Sequence, residues 1–406
     1  MKCEPETPQD YLSPKEVINK HSVEELCNTA EDYYKNTDPE RLMARPLESV
    51  KEAPYIFYRL GLIFSGMHLG ATMKVLEFGA GSCWLSRMLN QMGCSTISVD
   101  VSSTALDIGK KLFLKFPPIG GCSEEPQFVR FDGYTIDLPD ESVERIICFD
   151  CFHHIPNQKE VLKEFYRVLK PSGIVGFSEP ARAHSKNAHS QLEMKNYTVL
   201  ENDILIEEIY SIAMEIGFSN MYAKPTIHLP YEIAYKEFFN IIFKQRLSLR
   251  TLSMLFDTMR DLSVTFFLNK GDFIPDSRIG EGFQAEIQVS ESNAIQKGGK
   301  ALLPISVNLK NYGESIWLAK NGKHMIGVVR FGAHLYDDRG KIVDIDWFRA
   351  SLPKDVYPKD VVNLNLEVPL PKEKGNYVLI FDLVCEDICW FESCGNIVSK
   401  IKVQVD

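Results

Sequence analysis

The run "VLEFGAGSCW", Val75 to Trp84, constrains the fold of this chain more than any other. An apolar strand candidate closes on Gly79 and Gly81 and passes directly into a helical segment. The same texture then repeats. "KVLEFG", "TISVD", "QFVRFD", "RIICF" and "GIVGFS" read as short strands separated by amphipathic stretches. In "QKEVLKEFYRVLK", Val161, Leu162, Phe165, Val168 and Leu169 fall on one helical face, with Asn157 placed to cap the helix and "KPSG" to stop it. Strand–helix alternation of this kind predicts a parallel α/β sheet with helices on both faces.

The texture changes on either side of that region. Residues 1–72 are polar and then helical ("SVEELCNTAEDYYK", "APYIFYRLGLIF"), which suits a lid. The α/β domain spans 73–272 and adds strands at "MYAKPT" and "VTFFLNKG", with a helical insertion at about 231–262 between them. After the aperiodic "GDFIPDSRIG", helix signals vanish. From 281 to 406 the residues alternate with period two, as where Val362, Leu364, Leu366 and Val368 share a face. Recurrent turns such as "DDRG" and "EKGN" predict a β-sandwich of about seven strands.

Composition excludes several classes. At 45% hydrophobic and 25% charged, the 406 residues are those of a globular protein. No apolar run reaches the ~18 residues a membrane helix needs, and "MKCEPETPQDYL" lacks the apolar core of a secretory signal, so a cytoplasmic protein without membrane insertion is expected. A net charge of −10, without a basic patch interleaved with aromatics, argues against a nucleic-acid partner. Of ten cysteines only Cys148 and Cys151 form a C-x-x-C pair; no spacing stands out as a metal site, and reduced thiols are expected.

The glycine turn departs from the dinucleotide pattern G-x-G-x-x-G, because Trp84 fills the third glycine slot and would obstruct a pyrophosphate at the helix start. A ligand bearing a carboxylate and an amino group suits the turn better. Gly79 and Gly81 let the backbone approach it, helix N–H groups face its carboxylate, and Glu77 answers its ammonium. Asp100 closes the second strand, where a carboxylate can accept both hydroxyls of a ribose. Asp132 closes the third and is placed to accept from a base's exocyclic amine. Each acid taken alone also reads as a solvated strand end. A ribose, an adenine and an amino acid together describe S-adenosylmethionine.

From Val75 to about Gly176 the chain resembles the class I S-adenosylmethionine-dependent methyltransferases that act on small molecules and glycans. "EFGAGSC" is similar to their first motif with Cys83 replacing the last glycine, a change expected to affect only local packing. "ISVDVS", "FDGYTIDLPDESVERIICFDCFHHIPN" and "RVLKPSGIVGFSEP" resemble the motifs that follow. The resemblance implies a Rossmann-like methyltransferase sheet. It implies that Glu77, Gly79, Gly81, Asp100 and Asp132 hold the cofactor and that Phe149 and Asp150 flank its methionine arm.

If the acceptor is a hydroxyl, a general base is useful. His153, His154, Glu179 and His184 lie near the strand ends; a histidine of "HHIP" equally suits bonding a backbone carbonyl, and Glu179 a structural role. The absence of [N/D]-P-P-[Y/F] after the fourth strand argues against methylation of DNA bases. The stretch "HSQLEMKNYTVLENDILIEEIYSIAMEIGF" resembles bacterial methyltransferases found with polysaccharide-building enzymes. Residues 281–406 resemble the carbohydrate-binding domain of O-antigen exporter ATPases. Trp317, Trp347 and Trp390, with Phe348 and Phe391 beside two of them, suit either sugar stacking or a sandwich core; Tyr33, Tyr34, Tyr231 and Tyr235 of the helical segments suit packing more than recognition. The expected function is methylation of a sugar in a surface glycan or its precursor, with glycan-assembly proteins as possible partners. The alternatives are a small natural-product acceptor and a non-catalytic cofactor-binding interaction protein.

Overall fold

Each strand of the first unit has two working faces, and the residues on them decide what packs where. The computed structural model describes residues 11–120, 124–226, 234–250, 252–253, 263–298 and 300–405. The chain divides into two units: residues up to Leu69 with Met73–Phe273, and Gly70–Thr72 with Ile274–Asp406.

The first unit opens with helices α1 (Pro14–Lys20), α2 (Val23–Asn36), α3 (Pro39–Met43) and α4 (Ala53–Met67). Ser22 and Glu25 form a capping box that fixes the start of α2. The α/β portion follows as β1 (Lys74–Phe78), α5 (Trp84–Gln91), β2 (Ser95–Asp100), α6 (Ser103–Lys115), β3 (Gln127–Arg130), β4 (Val143–Phe149), α7 (Gln158–Val168) and β5 (Leu169–Pro180). Then come α8 (Ala188–Tyr197), α9 (Ile206–Ile216), β6 (Asn220–Lys224), α10 (Tyr235–Lys244) and β7 (Ser263–Asn269). The second helical stretch expected in the 231–262 insertion lies largely outside the described residues, as does Tyr231.

The strand order is β3-β2-β1-β4-β5-β7-β6. β1 to β5 pair in parallel as expected, but β7 runs antiparallel to both β5 and β6, so the sheet is mixed. Strand spacing in a sequence carries no direction, which is why a parallel sheet alone was expected.

Alternation sorts the faces. Leu76 and Phe78 point into the core shared with α7, Phe78 meeting Phe165 edge-on at 4.9 Å. Glu77 between them turns the other way, onto α5. Val161, Leu162, Phe165 and Val168 are all fully buried, as the helical face predicted. Asn157 does precede α7, but it makes no side-chain cap; its amide donates to the Gly133 carbonyl instead.

The second unit is all β: β8 (Ala285–Glu291), β9 (Ile295–Lys297), β10 (Lys300–Asn311), β11 (Val329–Asp337), β12 (Ile342–Ser351), β13 (Val361–Pro369), β14 (Gly375–Cys385), β15 (Cys389–Trp390) and β16 (Ser399–Val405). One antiparallel sheet orders β13-β10-β8 with β9 on β10; the other orders β12-β11-β14 with β15 and β16 on β14. The strands beyond the expected seven are β9 and β15, of 3 and 2 residues, too short to show a period. Leu303, Ile305, Val307 and Leu309 from one sheet meet Phe331, Phe381 and Leu383 from the other in a single core. Trp317 and Phe391 belong to that core, both fully buried and 5.5 Å apart, so neither offers a face to a sugar. Trp347 and Trp390 are half-buried: Trp347 donates its indole N–H to Pro369, and Trp390 lies under the Arg349 guanidinium.

No described helix is long and apolar enough to cross a membrane.

Candidate cofactor and acceptor site

The turn after β1 is built from left-handed residues. Gly79 and Gly81 adopt φ of +66° and +52°. A Cβ added at Gly79 would lie 2.4 Å from that of Cys151, and one at Gly81 would lie 2.5 Å from the Tyr34 hydroxyl. Only glycine fits either place. Cys83 also takes a left-handed conformation, φ +57°, at the entrance to α5, with its thiol buried against Gly109 of α6. The replaced glycine therefore keeps glycine's backbone geometry.

Asp100 ties this turn to the end of β2. Its Oδ2 accepts the Gly81 N–H and its Oδ1 the Ser102 N–H, each at 2.8 Å. Burial pushes its pKa up to about 6, opposed by those two donors. Each oxygen keeps a lone pair beyond its backbone bond. Glu77 behaves otherwise than expected. Rather than facing a ligand's ammonium, its Oε2 accepts both the N–H and the hydroxyl of Ser86 in α5. Burial pushes this acid up to about 8. Residue alternation along β1 is the cause, since the strand's buried α5 side takes position 77.

Asp132 is exposed, and its Oδ1 accepts the N–H groups of Tyr134 and Thr135, closing a turn. Phe149 and Asp150 lie where β4 ends, but Asp150 is already paired. Arg59 of α4 reaches both its oxygens, at 2.8 and 2.6 Å, and also holds the hydroxyl and carbonyl of Ser178. The same guanidinium lies 4.5 Å from the Phe149 ring centroid. Arg59 is thus buried, bidentate and stacked, a role lysine could not fill.

Beyond β4 the candidate bases form one cluster. Glu179, fully buried at the end of β5, accepts the N–H groups of Cys151, Phe152 and His153 and faces His153 Nδ1 at 2.7 Å. Burial raises its pKa to about 7 against those bonds. Burial also keeps His153 well below the usual histidine range, hence neutral. Its proton lies on Nδ1 toward Glu179, which leaves Nε2 as a lone pair. That lone pair faces Glu201 Oε2 at 3.9 Å. His184 Nε2 lies 2.6 Å from the same oxygen, and Ser190 donates to it. His154 Nδ1 is 2.6 Å from the Leu200 carbonyl, the backbone bond anticipated for one of the two histidines. Burial would raise Glu201, but the His184 bond and the neighbouring imidazoles hold it at about 2.

Several site residues escaped the sequence reading. Arg59 carried a signal, as the one cation within "APYIFYRLGLIF". Glu31 of α2 accepts the hydroxyls of Ser102 and Thr104 and the Thr104 N–H, so α2 lies over the β2–α6 turn. Neither Glu31 nor Glu201 has a local pattern that would single it out.

Comparison with known proteins agrees with this geometry. Residues 76–177 match a family described as "Methyltransferase domain". The chain is similar to an uncharacterized methyltransferase of Schizosaccharomyces pombe, 41% identical over 103 residues, covering 25% of this chain and 37% of the relative. It is similar to an uncharacterized methyltransferase of Oceanobacillus iheyensis, 26% identical over 189 residues, covering 45% and 83%. A ubiquinone biosynthesis O-methyltransferase of Pseudomonas fluorescens is 27% identical over 108 residues, covering 27% and 44%. The alignments thus span little more than a third of the S. pombe protein and under half of the Pseudomonas one. The first unit has the class I S-adenosylmethionine-dependent methyltransferase fold, and S-adenosylmethionine is the cofactor that fold serves. The residues present fit it: the turn admits no side chain at Gly79 or Gly81, and Asp100 is a buried acid with lone pairs to spare.

Proposed function

We propose that the protein is an S-adenosylmethionine-dependent methyltransferase acting on a hydroxyl, with a sugar of a surface glycan or its precursor as acceptor. The observation that carries the reading is the Gly81–Asp100 bond inside the matched domain, which locks a side-chain-free turn against a buried carboxylate. Gly79 and Gly81 would hold the amino-acid end, Asp100 the ribose, and Asp132 and Phe149 the base and the methionine arm. Glu77 supports the turn from beneath through Ser86, and Arg59 fixes Phe149 and Asp150 at its rim.

The cofactor supplies a methyl group already activated for in-line displacement. What remains for the chain is to place the acceptor oxygen, exclude water and receive a proton. His153 Nε2 is the unprotonated atom that can take the hydroxyl's proton, and Glu179 would then stabilise the imidazolium through Nδ1. The sugar assignment is supported by the resemblances of 189–218 and of the second unit and by the β-sandwich itself. A small aromatic acceptor is the second reading, favoured by the likeness to the ubiquinone O-methyltransferase.

Titration calorimetry with S-adenosylmethionine tests the core of this proposal. Wild type should bind in the micromolar range and Asp100→Ala at least about tenfold more weakly, since it loses hydrogen bonds to a charged group; equal affinities would remove the assignment. Release of S-adenosylhomocysteine with sugar, nucleotide-sugar and phenolic acceptors then separates the two acceptor readings.

A further inference from the structure

Two hydrogen-bond acceptors face each other in the interior of the first unit. His153 carries its proton on Nδ1, because that nitrogen meets a carboxylate already taking backbone N–H groups. Its Nε2 therefore faces Glu201 Oε2 across 3.9 Å, too long for a hydrogen bond. A cation placed between them would be held by both. A third donor is at hand, for His154 Nδ1 lies 3.7 Å from Glu201 Oε1. One donor atom from each of His153, His154 and Glu201 lies within 4.8 Å of the other two.

The surroundings are those of a supported metal site. His153 is oriented by Glu179, and Glu201 by His184 and Ser190. Asn187 donates to His184 Nδ1, which puts the His184 proton on Nε2, toward Glu201. Ligating imidazoles and carboxylates are held in this way by outer partners. The His154 side chain is 40% exposed, so its ring is free to exchange the Leu200 carbonyl for an ion and the site has an open side. Zinc–nitrogen and zinc–oxygen bonds of about 2.0–2.2 Å would draw the donors inward by roughly half an ångström.

We infer that His153, His154 and Glu201 bind a divalent transition metal ion, with an acceptor hydroxyl as a further ligand at the open side. Two imidazoles and one carboxylate select a zinc- or iron(II)-like ion over magnesium or calcium. The ion would acidify a bound hydroxyl, whose proton would leave to water at the open side, and His153 would hold the ion where it would otherwise take that proton. That use of the ion rests on the methyltransferase reading; its binding does not.

Cobalt(II) titration of the full-length, chelator-treated chain tests the site by its visible d–d absorption. One equivalent should bind without a thiolate charge-transfer band and be displaced by zinc. Glu201→Gln and His154→Ala should lose the absorption or weaken the Kd more than tenfold, and His184→Ala should weaken it about 10–100-fold as an orienting residue. His189→Ala, an exposed histidine on α8, should bind as wild type does. Far-UV circular dichroism confirms folding, which His154→Ala should retain because that ring is partly in solvent. No absorption from wild type, or spectra unchanged in both Glu201→Gln and His154→Ala, would overturn the inference. Wild type that binds S-adenosylmethionine but no cobalt overturns the ion alone; wild type that binds cobalt but no S-adenosylmethionine upholds the ion and overturns the methyltransferase reading.

Discussion

Glu77 illustrates how one side chain can be read correctly in type and wrongly in direction. An acid before the glycine turn suggested a partner for a ligand's ammonium, yet the strand's alternation turns it onto Ser86 and buries it. Its raised pKa has a measurable consequence. The unfolded carboxyl ionises near 4.5 and the folded one at about 8, so between those values only the folded state keeps the proton. Stability from this group is therefore full below about 4.5 and is lost as pH rises to about 8. Glu77→Gln mimics the protonated acid. Urea denaturation should find it close to wild type at pH 5 and more stable at pH 8, by an amount on the order of a few kcal/mol. Wild type keeps a further slope of the same sign from Glu179 and Asp100, which the variant shares. Parallel pH dependences for the two proteins would refute the assignment.

At the scale of elements, α2 is fastened to α6 by one carboxylate. Glu31 accepts the hydroxyls of Ser102 and Thr104 and the Thr104 N–H at the first turn of α6, where a negative charge also meets the helix dipole. Burial would raise its pKa, but these bonds and Lys35 hold it at about 2. The stabilisation is present above about 4.5 and fades as pH falls toward 2. Glu31→Gln should cost about 1–2 kcal/mol at pH 7, less than a fully buried charged hydrogen-bond set, and the difference should shrink at pH 3.5. Thermal melts at both values would show it; a constant difference would mean that the charge is irrelevant.

On the scale of the whole molecule, two cores of different design share one chain. The first unit packs helices on a mixed sheet; the second closes two antiparallel sheets over Trp317, Phe331 and Phe381. Among the described residues, the second core draws only on those from Phe283 onward. A polypeptide of residues 274–406 should therefore melt cooperatively on its own, as followed by circular dichroism. A broad, non-cooperative melt would show that its stability depends on the rest of the chain.

The sequence by itself determined the order of the first unit's seven strands, the glycine turn, the shift from period 3.6 to period two, and the buried faces of α7 and β13. These are local properties, written in neighbouring residues by sterics and hydrophobic repeat. The tertiary structure alone decided that β7 runs antiparallel, that Asp150 belongs to Arg59, that Trp317 is core, and that Glu201 joins His153, His154 and His184. Those facts depend on residues far apart in the chain being brought within a few ångströms. No periodicity records that, because the distances are set by how whole elements pack and not by any stretch of sequence within them.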